Sequence, residues 1–276
     1  TRGRSGWKRR ADRVTGAPPR PADRSGGPPA PRVGCLTWNV HRARGGDGRV
    51  DPGRVAAALA HEACAAAPPD VLALQEADTE ARPHRGLLDL GRLERETGLA
   101  HAQAAPGLRW GEESHGLHGV VVLLAARVAV AHADLLDLPG HCPRGAVVLE
   151  ARVAGTPVRI VATHLSLGQP LRMAQLRVVG QYLDRRPPMP TILMGDLNEW
   201  RPWGGAALSP RLLGRHFAGP APATFPVRRP LLPLDRILVT PPARIRTARV
   251  LDGPLTRAAS DHRPLAAEVE LPSAGP

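Results

Sequence analysis

Five short clusters in this 276-residue chain set polar side chains suited to phosphate chemistry beside apolar runs. They are Leu36-Thr37-Trp38-Asn39, Asp70-Val71-Leu72-Ala73-Leu74-Gln75-Glu76, Val161-Ala162-Thr163-His164, Ile192-Leu193-Met194-Gly195-Asp196-Leu197-Asn198 and Ser260-Asp261-His262. A phosphoester resists cleavage because its oxygens repel an incoming nucleophile. A divalent cation neutralises that charge and stabilises the leaving oxygen. Mg²⁺ takes hard oxygen ligands and keeps several waters, so one or two carboxylates suffice. Glu76 is the best candidate ligand, since it ends an apolar run and can project from a sheet edge. Asp196 can bind metal or orient a water, and Asn198 can donate to a phosphate oxygen without adding negative charge. The two share a side if the chain stays extended, and Gly195 lets the backbone approach a ligand closely. Asp261-His262 places an acid beside an imidazole that titrates near neutral pH and can accept a proton from water. Its second nitrogen needs a partner, for which Asp235 is the candidate. His164 can donate to the phosphoryl group or protonate a leaving group. Taken singly, each of these residues reads as an ordinary turn or surface side chain; their repetition at strand ends carries the argument.

Elements to hold such a site are legible between the clusters. Residues 33–40, 71–74, 119–124, 128–136, 146–153, 158–163, 191–194, 234–239, 248–251 and 264–269 read as strands, several continuously apolar and so buried on both faces. Asp51-Pro52 starts a helix with Asp as N-cap and Pro in the first turn, and Val55, Leu59 and Cys64 lie on its inner side. Residues 87–97 predict a second helix stopped by Gly98. Residues 171–183 form a third, with Leu171, Ala174, Gln175, Val178, Val179 and Leu183 inward, and 204–213 a short fourth. Many strands and few helices suggest two sheets covered by helices. With few aromatics, Ala, Val and Leu must fill the core, helped by Trp38, Trp110, Trp200 and Trp203.

The net charge of +12 suggests a nucleic-acid partner at first sight. Nine Lys/Arg and two Asp fall in residues 1–32, so nine minus two places +7 there and leaves +5 elsewhere. Lys8 is the sole lysine, and abundant Arg, Ala, Gly and Pro fit a GC-rich genome. Residues 1–32, rich in Arg, Pro and Gly, are expected to form a disordered tail, followed by one domain over 33–271 and a short tail at 272–276. Cys35, Cys64 and Cys142 have no metal-site spacing and suit a reducing compartment. No apolar stretch resembles a secretory signal or approaches membrane-spanning length. A cytoplasmic monomer without stable membrane insertion is expected.

Trp38-Asn39, Leu74-Gln75-Glu76, Thr163-His164-Leu165, Gly195-Asp196-Leu197-Asn198, Leu234-Asp235-Arg236-Ile237 and Ser260-Asp261-His262-Arg263-Pro264 follow one another in an order that resembles the endonuclease/exonuclease/phosphatase superfamily. The resemblance covers about residues 33–270. It implies a four-layer α/β sandwich, with two mixed β-sheets packed face to face and helices outside. It implies Mg²⁺, or sometimes Mn²⁺, held by Glu76 with help from Asn39 or Asp261. It implies His262 as general base oriented by Asp235, with Asp196 and Asn198 positioning water and phosphoryl group and His164 stabilising the transition state. Whether Asp196 or His262 activates the water stays open, as does the number of metals. His164 argues against the abasic-site branch. Arg172-Met173-Ala174-Gln175-Leu176 looks like the helix start of small bacterial members. A loop carrying Arg228 and Arg229 is expected beside the site, where both could contact substrate. The substrate is a phosphoester: nucleic acid, lipid headgroup or small phosphate ester. The alternatives are a deoxyribonuclease-I-type endonuclease and a catalytically silent binding domain on the same fold.

Overall fold

The computed structural model describes residues 30–273. The expected tail therefore lies almost wholly outside the described residues, as do residues 274–276. At its inner end the domain begins earlier than expected: Arg32 already belongs to the first strand, and the Leu271 amide donates to the Pro31 carbonyl at 2.8 Å.

Eleven strands build two sheets. The first holds β1 (Arg32–Asn39), β2 (Val71–Gln75), β3 (Ala100–His101), β4 (Val121–Leu124), β10 (Arg244–Val250) and β11 (Leu265–Glu270), in the order β10-β11-β1-β2-β4-β3. The second holds β5 (Val128–Leu138), β6 (Arg144–Val153), β7 (Thr156–His164), β8 (Thr191–Asp196) and β9 (Asp235–Val239), in sequence order. Within each sheet one neighbouring pair is parallel, β1 with β2 and β7 with β8, and the others run antiparallel.

Alternation along the strands sorts apolar side chains into three layers of core. Val33, Cys35, Val71, Ala73, Val147, Leu149, Ile160, Ala162, Ile192 and Met194 face inward and fuse the sheets. Leu36, Trp38, Leu72 and Leu74 face outward and meet Val55 and Leu59 of the helical segment α1 (Pro52–Ala58), continued by a π-turn (Leu59–Ala63) and α2 (Cys64–Ala66). Leu93 of α3 (Leu90–Thr97) joins the same layer, and α6 (Pro254–Ala259), unforeseen from the sequence, adds Ala259. On the other side Val148, Val161 and Leu193 meet Leu176, Val179 and Leu183 of α4 (Gln169–Asp184) and Leu213 of α5 (Pro210–Leu213). The result is the four-layer α/β sandwich expected.

Three expectations need correction. Of the four tryptophans assigned to the core only Trp38 is buried; Trp110, Trp200 and Trp203 are 41%, 48% and 76% exposed, because they stand on loops rather than strand faces. The helix over 204–213 shrinks to its last four residues, since Gly204 and Gly205 both take positive φ and break the turn. The inner face of α4 also turns, burying Arg172 and Leu176 and leaving Ala174 exposed.

Candidate active site

Strand direction gathers the clusters. The parallel pairs end at the same edge, with Asn39 opposite Gln75 and His164 opposite Asp196. The antiparallel neighbours begin there: Asp235, the first residue of β9, pairs with Asp196, and β11 starts just after Ser260-Asp261-His262. Strand ends from parallel strands and strand starts from antiparallel ones thus form one cluster across both sheets.

Gly195 has a different task from the one expected. Its φ is +137°, and a Cβ there would lie 1.9 Å from the Thr163 carbonyl oxygen, so the close approach is to β7 and not to a ligand. Nor does the chain stay extended to Asn198, whose φ is +51°. The Asn198 amide donates to Asp196 Oδ1 at 2.9 Å, a local turn that Asp favours. Asn198 Nδ2 then donates to the Leu165 carbonyl at 2.8 Å and stands 3.3 Å from His164 Nε2.

His262 Nδ1 donates to Asp235 Oδ2 at 2.8 Å, and Thr224 Oγ1 donates to the same oxygen at 2.6 Å. Asp235 thus joins His262 Nδ1 and Thr224 through one carboxylate oxygen. His262 Nε2 points the other way, 3.8 Å from Asp196 Oδ2. The ring packs on Phe225, 4.9 Å between centroids. Trp38 Nε1 donates to the His262 carbonyl, Ser260 Oγ to the Asn39 carbonyl, and the His262 amide to Ser260 Oγ. The first two tie β1 to the segment before β11, and the third braces that segment.

The electrostatics follow from burial. Burial opposes charge on His262, but Asp235, by charge and hydrogen bond, with Asp196 and Asp261, outweighs it and raises the pKa to about 10. Burial and then the charge of Asp235 raise Asp196 to about 6, against the pull of His262, Asn39 and the Asn198 amide. His164 is held well below the ordinary imidazole range by burial, then by the charges of Arg144, His262 and Arg42. It is neutral, with Nε2 3.3 Å from Asn198 Nδ2 and 3.5 Å from Asp196 Oδ2.

Two groups of side chains could hold a divalent cation. Asp196, Asp235 and His262 offer ligand atoms within 4.8 Å of one another, but there the imidazole already donates to Asp235 and holds its proton firmly. Asn39, Glu76 and Asp261 form the other. Asn39 Nδ2 donates to Asp196 Oδ2 at 2.9 Å and to Glu76 Oε1 at 3.4 Å, which leaves its Oδ1 accepting from the His41 amide at 2.9 Å. Glu76 Oε2 and Asp261 Oδ1 are screened from solvent without a hydrogen-bond partner. Glu76 Oε2 has the Arg42 guanidinium 3.0 Å away, and Asp261 Oδ1 has His41 Nδ1 at 3.5 Å. Carboxylate oxygens left without hydrogen bonds in this way are what a hard cation satisfies. Glu76 itself sits at φ +56°, a conformation uncommon for a non-glycine residue and frequent at functional sites.

The loop expected beside the site is there. The Val227 amide donates to the Asp261 carbonyl at 2.6 Å and the Arg263 amide to the Thr224 carbonyl at 2.9 Å, so residues 224–227 lie along Asp261–Arg263. Arg228 and Arg229 themselves are exposed and make no ion pair among the described residues. Sequence reasoning missed Thr224 as the second partner of Asp235, and it missed Arg42 and Arg144. The signal for Arg144 was the start of a strand, at the same edge as the strand ends that were read.

An α/β sandwich with this cluster at one edge defines a class, and comparison with known proteins agrees. The model of the Endonuclease/Exonuclease/phosphatase family matches residues 36–262, and the chain belongs to that family. Its members are phosphoester hydrolases that generally use divalent metals. The uncharacterized protein YbhP of Escherichia coli is 32% identical over 166 residues, covering 56% of this chain and 64%, less than two thirds, of YbhP. An endonuclease/exonuclease/phosphatase from Beutenbergia cavernae superposes with a TM-score of 0.61 at 24% identity, over 87% of this chain and 72% of that one. The mannosyl-6-phosphatase of Bacteroides thetaiotaomicron gives 0.65 at 16% identity, over 86% and 99%. At such identities the structures share the fold. Among the described residues no helix is long and apolar enough to cross a membrane.

Proposed function

We propose that residues 33–271 form a Mg²⁺-dependent hydrolase of phosphoester bonds, a phosphodiesterase foremost, working by in-line attack of an activated water. The observation that supports it most is the row Asp235, His262, Asp196, with neutral His164, Asn198 and Asn39 beside it. Water between His262 Nε2 and Asp196 Oδ2 passes its proton into that pair. Asp235 and Thr224 fix the ring for the transfer. His164, its Nε2 3.5 Å from Asp196 Oδ2, and Asn198 beside it stand where charge builds on the phosphoryl oxygens and stabilise it. Mg²⁺ or Mn²⁺, held by Glu76 with Asn39 or Asp261, would supply charge neutralisation at the phosphoryl and leaving oxygens. A binding domain without catalysis would not need a proton-holding row of this kind. The three cysteines are free, which suits action in a reducing, cytoplasmic setting, and the domain is proposed to act as a monomer.

A deoxyribonuclease-I-type endonuclease is the narrower second reading, favoured by exposed Arg228 and Arg229 on the loop against Asp261. Purified full chain should turn over bis-p-nitrophenyl phosphate with Mg²⁺ or Mn²⁺ and stop on chelation. Plasmid DNA, single-stranded DNA, RNA, sphingomyelin and phosphoinositides in parallel would name the substrate. Turnover of lipid or sugar phosphates without DNA cleavage would remove the nuclease reading. Metal-independent turnover would remove the mechanism.

A further inference from the structure

Five of the nine large apolar side chains exposed among the described residues stand on three loops: Leu167 after β7, Trp200 and Trp203 after β8, Leu231 and Leu232 before β9. The same strand ends carry the site. Leu167 is three residues past His164, Trp200 two past Asn198, and Leu232 three before Asp235. Leu167 is 79% exposed and Leu231 67%. Apolar side chains gathered in this way at one edge mark an interaction surface. The loops beneath them are fixed. Glu199, wholly buried, pairs with Arg172 at 3.3 Å and with Arg201 at 2.9 Å. Arg172 also donates to the Ser166 carbonyl at 3.2 Å and to that of Leu167, and Arg201 donates to Gln169 Oε1 at 2.8 Å. Buried Arg236 donates to the carbonyls of Pro233 at 2.7 Å, Arg201 at 2.8 Å and Glu199 at 3.1 Å. Three buried charged side chains thus tie the three loops together and fix the backbone from which the apolar tips project. Burying charge is costly unless it is paired in this way, so the arrangement of these loops is specified and not incidental.

We propose that this face docks on the surface of an anionic phospholipid bilayer, and that the site takes its phosphodiester from a lipid headgroup presented there. The second clause rests on the hydrolase reading; the docking surface does not. Charge points to the partner. Residues 165–169, 197–209 and 218–234 contain one acid, Glu199, which is buried and paired, whereas Arg228 and Arg229 are exposed without an ion pair among the described residues. Arginines at such a rim meet lipid phosphates. Tryptophan suits the boundary because its ring is apolar and its N–H finds a partner in the wet headgroup layer. The leucines reach the acyl edge below it. A nucleic-acid strand fits this face less well, since Leu167, Leu231 and Leu232 offer no ring on which a base stacks. Docking is peripheral and reversible. Hydrolysis there forms a bond from the water oxygen to phosphorus, breaks one P–O bond, and leaves an alcohol and a phosphomonoester.

Phosphatidylcholine vesicles with and without phosphatidylglycerol, their acyl chains brominated, probe the surface directly when mixed with the full chain. Tryptophan fluorescence should be quenched on binding, more strongly with phosphatidylglycerol, and Trp203→Ala and Leu167→Ala should each weaken partitioning about tenfold while melting stays close to the parent. Basic residues elsewhere in the chain bind anionic vesicles without depending on these two side chains, so binding indifferent to both variants overturns the surface. Quenching by single-stranded DNA and not by vesicles, or dimerisation that Trp203→Ala abolishes without any vesicle binding, overturns it too. Turnover supplies the second arm, with the p-nitrophenyl ester of phosphatidic acid in vesicles set against bis-p-nitrophenyl phosphate in solution. Trp203→Ala should lower kcat/KM about tenfold on the vesicle ester and leave the soluble one within about twofold. Equal losses on both would place Trp203 at the reacting phosphoryl and refute the docking role. Cleavage of the soluble ester alone would refute the lipid substrate. Vesicle binding through Trp203 and Leu167 without turnover of either ester would instead sink the hydrolase reading and leave the surface standing.

Discussion

The two halves of the site differ in how much of their hydrogen bonding the protein supplies. On the His262 side, Thr224, Asp235, His262, Asp196, Asn39 and the Asn198 amide pass from donor to acceptor with bonds of 2.6–2.9 Å apart from the 3.8 Å step between His262 and Asp196. On the Glu76 side, Glu76 Oε2, Arg144 Nε, His118 Nδ1 and His164 Nδ1 are buried without partners. The first half is nearly finished, with Asp235 Oδ1 left unpartnered and one 3.8 Å step between His262 Nε2 and Asp196 Oδ2. The second is built to be completed from outside, foremost by a cation at Glu76. Proton handling needs fixed geometry before substrate arrives, whereas binding groups gain by meeting their partners only then.

That contrast is tested most severely by emptying the finished half. Asp196→Ala and His262→Ala should each lower kcat roughly 10³-fold or more, with circular dichroism and melting close to the parent. Persistent turnover in both would dissolve the distinction, because the row would then hold structure and not protons.

The unfinished half should respond to ligand rather than lose its shape. Glu76→Gln should cut kcat/KM about 10²-fold at fixed Mg²⁺, partly recovered at higher metal. A cation that binds only the folded state raises its melting temperature with concentration, and that shift should be large in the parent and nearly absent in the variant. A melting shift of equal size in both would move the cation away from Glu76.

Thr224→Val gives a smaller, sharper test of the finished half. It removes one of two bonds to Asp235 Oδ2 in a fully buried place and should cost about 1–2 kcal/mol of stability. Positioning, not charge, is lost, so kcat should fall about tenfold with KM nearly unchanged. Thr224→Ser should restore most of it. A fall in KM-dependent terms only would assign Thr224 to substrate binding.

Much of this contrast was legible in the sequence, and the reason it was only part is geometric. Asn39, Glu76, His164 and Asp196 were readable because an apolar run announces a buried strand and its last residue must emerge at an edge. Asp235 was readable once His262 required a partner. Arg144 was not, because its chemistry sits at the beginning of β6, and the rule that strand starts and ends share an edge depends on strand direction, which a single sequence does not declare. The tryptophans misled because a large apolar side chain suits a core and a loop rim equally; only position on β1 buried Trp38. Gly195 was recognised as necessary for the wrong neighbour, since the close approach of β7 is a tertiary fact.

The mildest test asks whether the finished half is held under electrostatic strain in metal-free protein. Asp196 has a folded pKa of about 6 against an ordinary 3.8, raised by burial and by Asp235. For an acid with a raised folded pKa, the unfolded chain releases its proton first as pH climbs, so stability falls between the two values and stays reduced above them. Asp196→Asn removes that ionisation. In chelator-treated protein the variant should therefore melt above the parent at pH 8, and the gap should close by pH 4, where the parent carboxyl is largely protonated in the fold. Divalent cation should narrow the gap at pH 8, because positive charge at Glu76 relieves the crowding of carboxylates. A variant melting below the parent at pH 8 and level with it at pH 4 would reverse the sign and show that Asp196 is held by attraction to His262 more than it is opposed by burial.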